Sequence, residues 1–412
     1  MTDQALHRLF AAARPPCKAS GRLTAFLAGL VVLGVAALVS GITGDQPLRA
    51  WQAYLVNLVF WTALAAGCVL FSAIQTLTHA HWGRSLKRLA EAPALFLVAA
   101  LPLLAGLYPG RELIFPWIAH PLPAKAHWLN APSLFLRDGT GLLLLALTAW
   151  ALILPAIRRD QRLLAAGHLD PPPQEQPKSA MPLANLYGIL YFLVLSLIAF
   201  DLIMSLSPEW YSTLFGAYYL VGGFYCGLAL LIILAVIATR SLGLAEFITP
   251  VHFQNLGKLL LGFCLMTGDF FYTQFLVMWY GNLPEETSFI IERIRFAPWR
   301  PLSWTVLFVC FIIPFATLLS SRIKVKPWAM VALCTLILSG MWLERFLLVA
   351  PSVWPAKELP IGIMEVGITA GFFGLMALTI TLFLGRFPLL PVADPLFHRH
   401  LAQQAEEGSH GH

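Results

Sequence analysis

Two aspartates lie inside long apolar stretches of this chain and are its first candidates for chemistry. Asp201 stands in AFDLIMSLSPEWYSTLFGAYY, and Asp269 stands in GDFFYTQFLVMWYGNLPEETS. A charged side chain at the centre of a membrane costs about 2.5–3.5 kcal/mol even on the lenient insertion scale. Residues of this kind usually carry protons, bind a ligand or hold helices together, so both aspartates are predicted to be functional.

Other titratable or hydroxyl side chains stand at depths that could complete a proton path with these two. Depth follows from position in each apolar run at about 1.5 Å per residue. The additional candidates are His79, Glu246, His252, Glu344, Arg345, Glu365 and Tyr272. An inner half-path would reach Asp269 through His79, Glu246 and His252. An outer half-path would use Asp201 and Glu365.

Structural pairing is the alternative interpretation of the same residues. Asp201 would pair with Arg345, or Glu344 and Arg345 would satisfy each other. Asp269 would then hydrogen-bond a neighbouring helix. Polar contacts of this kind between membrane helices contribute about 0.6–2 kcal/mol each. The sequence leaves proton conduction and structural pairing open.

The elements that position these residues are transmembrane helices. The chain has 412 residues, of which 58% are hydrophobic and 12% charged, about half the charged fraction of a soluble domain. Ten apolar runs are long enough to cross a ~30 Å hydrocarbon core. They are Leu23–Gly44, Tyr54–His79, Ala92–Tyr108, Gly141–Ile157, Pro182–Leu206, Thr213–Thr239, Leu256–Tyr280, Leu302–Ser321, Trp328–Ala350 and Ile361–Phe387. An all-α membrane protein is therefore predicted.

The basic residues predict the orientation. About twice as many of the 27 Lys and Arg residues lie in one set of alternate loops and the two tails as in the other set. Because cytoplasmic loops are enriched in Lys and Arg, both termini are predicted to be cytoplasmic. The net charge of +6 reflects this bias and does not indicate a nucleic-acid partner.

Metal ligands in the usual spacings are missing from the sequence. The six cysteines are scattered, and no Cys-x-x-Cys-His motif occurs. The histidines lie at run ends, in loops or in the tails. We therefore expect no haem or iron–sulfur cluster bound by this chain, and we expect any metal cofactors to belong to partner subunits.

A weak internal repeat predicts how the helices group. THAHWGRSLKRL after the second run and TPVHFQNLGKLL after the sixth both place a histidine and an aromatic residue before a basic, leucine-bearing turn. The repeat maps helices 2–5 onto helices 6–9 as two four-helix bundles, with helices 1 and 10 flanking them. The predicted segments are a tail (1–22), the first flanking helix (23–50), helices 2–4 (51–163), a proline-rich linker (164–181), helix 5 (182–212), the second bundle (213–350), helix 10 (351–390) and a C-terminal tail (391–412).

Three motifs resemble one family of membrane subunits. They are FDLIMSLSPEWYSTLFG (200–216), FLVMWYGNLPEETSF (275–289) and KAHWLNAPSLFLRD (125–138). They resemble the NrfD-like (polysulfide reductase) membrane subunits of bacterial alternative complex III, a quinol:electron-acceptor oxidoreductase, and more its shorter ActF type than the sister ActC type. The resemblance implies two four-helix bundles and partners that carry the cofactors: a multihaem cytochrome c, an iron–sulfur protein, a sister NrfD-like subunit and small membrane-anchored subunits.

The resemblance implies a cofactor-free scaffold with a transmembrane proton path. Two alternatives remain: quinol oxidation by this chain itself, in an apolar aromatic cleft with a proton acceptor such as Asp201, or a stand-alone ion-coupled transporter. The segment NLPEETSFIIERIRFAPWRP (282–301) is expected to be a solvated loop or a docking surface for the outer subunits. Five aromatic residues are assigned to the membrane-interface belt: Trp210, Tyr211, Trp279, Tyr280 and Trp299.

Overall fold

Ten long apolar helices make up most of the chain. The computed structural model describes residues 3–15, 20–167, 177, 179–354 and 358–410, and these contain helices and no strand. The first to tenth spans are Gly21–Thr43, Pro47–Leu77, Arg84–Ile114, Ala131–Ala166, Ala180–Leu206, Phe215–Ser241, Pro250–Gly281, Trp299–Leu319, Pro327–Val353 and Ile363–Arg386. This is a multi-pass membrane protein. Cys17 and most of PPPQEQP lie outside the described residues.

Every predicted apolar run corresponds to a span, and the third and fourth spans differ most from their predicted bounds. The third begins at Arg84 and the fourth extends from Ala131 to Ala166. Both carry charged residues in their end turns, among them Arg88, Glu91 and Asp160, whose side chains are buried. The predicted spans were too short because they ended where the charged residues begin, whereas these charged turns remain helical inside the protein.

The spans pack as two rings of four helices. The second to fifth spans contact each other in sequence and the fifth returns to the second, while the sixth to ninth spans repeat this arrangement. The two rings join where the second and sixth spans run side by side. At Gly67 an added Cβ would stand 2.3 Å from the Gly223 carbonyl oxygen, so only glycine permits this approach.

The first and tenth spans form a separate pair against the second span. Their backbones meet at Gly34 and Gly371, where an added Cβ on Gly34 would stand 2.4 Å from the Gly371 Cα. The second span is the centre of the protein, since 94% of its apolar window is buried. The seventh and eighth spans, by contrast, are only 22% buried and present their other faces outwards.

Among the helices that lie outside the spans in the described residues, three distinguish the two ends of the fold. The helices Asp3–Ala13 and Pro395–His410 lie at one end, where the Leu389 amide donates to the Ala13 carbonyl over 2.9 Å. We call this the inner end and the opposite one the outer end. At the outer end, Pro284–Arg295 is a helix (the surface helix) rather than the expected loop, and it buries Phe289 and Arg293.

The aromatic assignments divide into two groups. Tyr211, Trp279 and Tyr280 are more than half exposed, as expected for the interface belt. Trp210 and Trp299 are only 3% and 4% exposed, so their assignment to the belt is wrong. Trp210 packs against Phe289 of the surface helix, a contact that no local sequence pattern indicates.

Candidate functional site

The second ring encloses a cavity of about 590 Å³ between the seventh, eighth and ninth spans and the surface helix. Its lining is mostly apolar and aromatic, with contributions from Phe215, Phe271, Phe275 and Phe311. A volume of this size lies within the usual range for small-molecule sites. A few polar groups line the same space, among them Tyr218, Asp269, Tyr272, Arg293 and Glu344.

Glu344 of the cavity wall forms a buried ion pair with Arg345. Tyr218 donates its hydroxyl to Glu344 Oε1 over 2.6 Å, and Arg345 Nη1 lies 2.9 Å from Glu344 Oε2. Arg345 also donates to the Tyr219 carbonyl over 3.3 Å and stacks over the Tyr219 ring. Glu344 and Tyr218 line the cavity, so a carboxylate with a hydroxyl donor faces a mostly apolar space.

Asp269 and Tyr272 of the seventh span form a second polar group on the cavity wall. Both side chains line the cavity and both are exposed on the outward face of the seventh span, Tyr272 at 57%. Asp269 was expected inside the bundle, at the end of an inner half-path, and that placement is wrong. The seventh span is apolar on nearly every side, so the composition around Asp269 did not indicate which face is buried.

A π-helical turn of the eighth span shapes part of the cavity wall. The eighth span widens at Phe308–Ile312, and both Cys310 and Phe311 of this turn line the cavity. Such a turn leaves carbonyl groups without their usual helical donors. The Cys310 carbonyl accepts a hydrogen bond from the Tyr225 hydroxyl over 3.3 Å instead.

Asp201 lies outside the cavity, in a second buried site in the first ring. It is fully buried on another π-helical turn, Ala199–Ile203. Its carboxylate accepts from Trp128 Nε1 over 2.8 Å and from Arg137 Nε over 2.7 Å, and Arg137 Nη2 lies 2.6 Å away. The expected partner, Arg345, pairs with Glu344, so the predicted Asp201–Arg345 pair is wrong.

Glu365 belongs to a third site, at the start of the tenth span. Its carboxylate binds Arg49 Nε over 2.8 Å and the Gly362 amide over 2.8 Å. No contact in the described part of the chain joins this site to Asp201, although both were assigned to one outer half-path. The Arg49 pair and the amide bond at the helix start give Glu365 a local structural role.

The structure also does not bring together the residues of the predicted inner half-path. His79 and Glu246 are exposed. His252 is buried, its Nδ1 accepts from the Thr249 amide over 3.1 Å, and its Nε2 lies 3.2 Å from Nε2 of His400. No contact within the described ranges therefore connects His79, Glu246 or His252 with Asp269.

A buried ion cluster at the inner end was missed by the sequence analysis. Arg88 binds both Glu91 and Asp160, and Ser72 donates to Glu91 Oε1 over 2.7 Å. Arg88, Glu91 and Asp160 are each at most 1% exposed. Arg88 was assigned to a loop in the sequence analysis. The acidic residue Glu91, which stands beside the third apolar run, was the one available indication of a buried ion pair there.

Residues 387–402, here called the C-terminal strap, complete this inner end. The Ala393 amide donates to Asp160 Oδ1 over 2.7 Å, and Asp394 Oδ2 accepts from Arg84 Nη1 over 2.9 Å. His400 reaches His252 at the start of the seventh span. The strap therefore contacts both helix rings.

Arg293 fastens the surface helix to the ninth span. It donates to the Leu347 and Leu348 carbonyls over 3.0 and 2.9 Å and to the Ser352 hydroxyl over 2.8 Å. Burial lowers the pKa of Arg293 to about 9, which leaves the guanidinium charged at neutral pH. Its charge is held by carbonyl dipoles at the end of the ninth span, where a cation is favourable.

Residues 41–355 match the family described as polysulphide reductase, NrfD. The chain belongs to the NrfD family. This NrfD match spans the cavity, Asp201, the inner ion cluster and the surface helix, and it leaves most of the first span, the tenth span and the C-terminal strap outside. No curated protein matches the chain in a sequence search.

NrfD proteins are membrane subunits that assemble with iron–sulfur and cytochrome subunits in redox complexes. Within the described residues of this NrfD chain, no group of three or more His, Cys, Asp or Glu side chains is arranged to hold a metal ion. The features that the structure offers for chemistry are therefore the cavity with its carboxylates and the buried ion pairs.

Proposed function

We propose that this chain is a membrane subunit of a quinol:electron-acceptor oxidoreductase of the alternative complex III type, and that it binds a quinol headgroup in the cavity of the second ring. The observation that most supports this proposal is the hydrogen-bonded pair of Tyr218 and Glu344, which lines a mostly apolar cavity. The aromatic lining suits a planar ring, and the outward mouth beside Asp269 and Tyr272 suits entry from the bilayer.

Glu344 is the proposed proton acceptor. Oxidation of a quinol releases two protons and two electrons, and a carboxylate within hydrogen-bond reach of a quinol hydroxyl can take the first proton. Arg345 and Tyr218 hold this carboxylate in place. The electrons pass to iron–sulfur or haem centres of partner subunits, since NrfD proteins assemble with subunits of these kinds.

The partners follow from the family resemblance. We assign the chain to the ActF type, beside a sister ActC-type subunit, a multihaem cytochrome c, an iron–sulfur protein and small membrane-anchored subunits. The proposed location is a bacterial inner membrane with both termini cytoplasmic. The outer end then faces the periplasm, where the surface helix offers a docking surface for the cytochrome and iron–sulfur subunits. The family match does not favour a stand-alone transporter.

Replacing Glu344 by glutamine in the intact complex tests the proposal. We expect quinol turnover to fall by about 10²-fold or more, since a positioned general base contributes about 10²–10⁴. Glu112→Gln, at an exposed glutamate near the outer end, is the control and should keep full turnover. Normal turnover by an assembled Glu344→Gln complex would assign quinol oxidation to another subunit.

Transmembrane proton conduction is a second candidate function, supported by a series of buried tyrosines. Tyr219 donates to the Val59 carbonyl over 2.7 Å and Tyr187 to the Ala66 carbonyl over 2.9 Å, both on the second span. Tyr191 donates to the Leu220 carbonyl over 2.6 Å. From Val59 to Ser72, at the inner ion cluster, the second span rises about 20 Å. These hydroxyls would connect Arg345 with that cluster through intervening waters.

Tyr187→Phe tests this second candidate. In proteoliposomes that contain the complex, we expect proton release coupled to quinol oxidation to fall while electron transfer continues. Tyr280→Phe, at an exposed hydroxyl near the end of the seventh span and outside the cavity lining, is the matched control. Unchanged proton release in Tyr187→Phe would remove the tyrosines from the path.

A further inference from the structure

The buried site around Asp201 contains two carboxyl groups and one guanidinium. Asp138 of the fourth span is fully buried and lies within hydrogen-bonding reach of Asp201 of the fifth. Arg137 and Trp128 direct their donors to Asp201. Neither oxygen of Asp138 accepts a hydrogen bond from any donor in the described part of the chain.

This arrangement is unfavourable if both carboxyls are ionised. Two like charges in contact in a low-dielectric site cannot both persist, and a buried charge without donors is costly. A proton on Asp138 removes both problems, because it neutralises one carboxyl and turns it into a donor to the Asp201 carboxylate. We propose that Asp138 and Asp201 together form a proton-binding site that holds one shared proton.

The surroundings of the pair fit this occupant. Two other ionisable groups of the described residues lie near the pair: Arg137, already engaged with Asp201, and Tyr219 from the sixth span, whose hydroxyl donates to the Val59 carbonyl. A sodium or calcium ion would need about six oxygen ligands, whereas the donors of Arg137 and Trp128 occupy the Asp201 oxygens. A proton needs only the two carboxyls.

Arg137 and Trp128 cover the site towards the outer end. The guanidinium stacks over the Trp128 ring, 4.0 Å from its centroid, and the Arg137 side chain is 19% exposed. Water can therefore approach Arg137 while both aspartates stay buried. The proton exchanges with the aqueous phase at the outer end when this cover moves. The site lies outside the quinol cavity and does not depend on it.

Infrared spectroscopy of the full chain in lipid vesicles tests the proposal. At neutral pH we expect the carbonyl stretch of a protonated carboxyl, shifted to lower frequency after exchange into D₂O. Asp138→Asn should lose this band and keep the unfolding temperature of the wild type, since asparagine replaces a neutral carboxyl of the same shape. Asp269→Asn, at the exposed aspartate, is the control and should keep the band.

Variants that remove one or both carboxyl groups distinguish a proton-binding site from a structural ion pair. Asp201→Asn should also lose the band, because Asp138 then ionises to pair with Arg137. Asp138→Asn combined with Asp201→Asn leaves the guanidinium without a carboxylate, and its unfolding temperature should fall by more than the two single effects combined. A band that persists in Asp138→Asn, or a wild type that lacks the band and requires sodium for stability, would overturn the proposal.

Discussion

Trp210 and Phe289 stack face to face, with ring centroids 3.8 Å apart and ring planes 5° from parallel. Both rings line the apolar cavity on one side. On the other side both line a wide pocket of the outer end that contains three glutamates, Glu209, Glu285 and Glu292. The stack is therefore the partition between an acidic aqueous pocket and the proposed quinol site.

Phe289→Ala should open this partition. Losing a buried phenylalanine from the stack should cost about 3–5 kcal/mol of stability and leave a gap between the two spaces. Cys264, which is 1% exposed and lines the cavity, should then react with a positively charged, water-soluble thiol reagent. We expect labelling to be at least about tenfold faster than in the wild type, because acidic clefts concentrate cations.

Two observations make this labelling experiment specific. Cys334 is buried and lines neither space, so it should remain unlabelled in the folded variant. Equal labelling of Cys264 and Cys334 would indicate general unfolding. No acceleration at Cys264 in a folded variant would mean that the stack does not separate the two spaces.

Gly268→Leu should obstruct quinol binding. A Cβ at Gly268 would stand 2.5 Å from the Phe311 ring, so a leucine forces that ring and its own side chain into the cavity. An affinity loss of about 1–3 kcal/mol, the usual cost of overpacking, corresponds to roughly 5- to 150-fold weaker binding of a quinone analogue. Gly262→Leu is the matched control, since no atom lies within 4 Å of its Cβ position. Equal affinities in the two variants would show that the quinol does not bind in this cavity.

Arg345→Met should destabilise the protein by about 3–5 kcal/mol, because it leaves the buried Glu344 carboxylate without its cation. Glu344→Met combined with Arg345→Met should recover most of that loss, since it removes both charges together. Unfolding in detergent, followed by tryptophan fluorescence, measures the difference. A double variant less stable than Arg345→Met would show that the pair stabilises the fold by itself.

Asp394→Asn should loosen the C-terminal strap. Arg84 is fully buried, and losing its carboxylate partner should cost about 3 kcal/mol or more. We expect faster proteolysis at Arg399 in native membranes. Asp45→Asn, at an exposed aspartate between the first and second spans, should leave the rate unchanged. Equal rates in both variants would mean that Asp394 does not hold the strap.

The spans could be predicted from the sequence because length and apolarity are enough to define a membrane helix. The third and fourth spans were predicted too short for a physical reason. Their charged end turns are helical and buried through contacts with distant residues, as Arg88 shows by binding Asp160, 72 positions away. A window along the sequence does not contain such partners.

The candidate site was harder to predict because a uniformly apolar helix does not show which face is buried. Asp201 and Asp269 have equally apolar flanks, yet the first is fully buried and the second lines an outward mouth. The partner of Asp201 could not be found either. Arg137 lies 64 positions away, next to a predicted span, and looked like an ordinary loop cation. The proposed proton carrier, Asp138, escaped notice for the same reason.

The strap also has a consequence for biogenesis. The Ala393 amide of the strap donates to Asp160, and the Asp394 carboxylate accepts from Arg84. Asp160 and Arg84 belong to spans that are synthesised far earlier than the strap. Until the strap has been made, Asp160 retains Arg88 and Arg84 retains the Gln75 and Ala80 carbonyls, while water takes the places of Ala393 and Asp394, because segments emerge from the N-terminus first. Residues 393 and 394 therefore complete the first ring long after its own helices have been made, and a substitution in the strap acts on helices that were synthesised well before it.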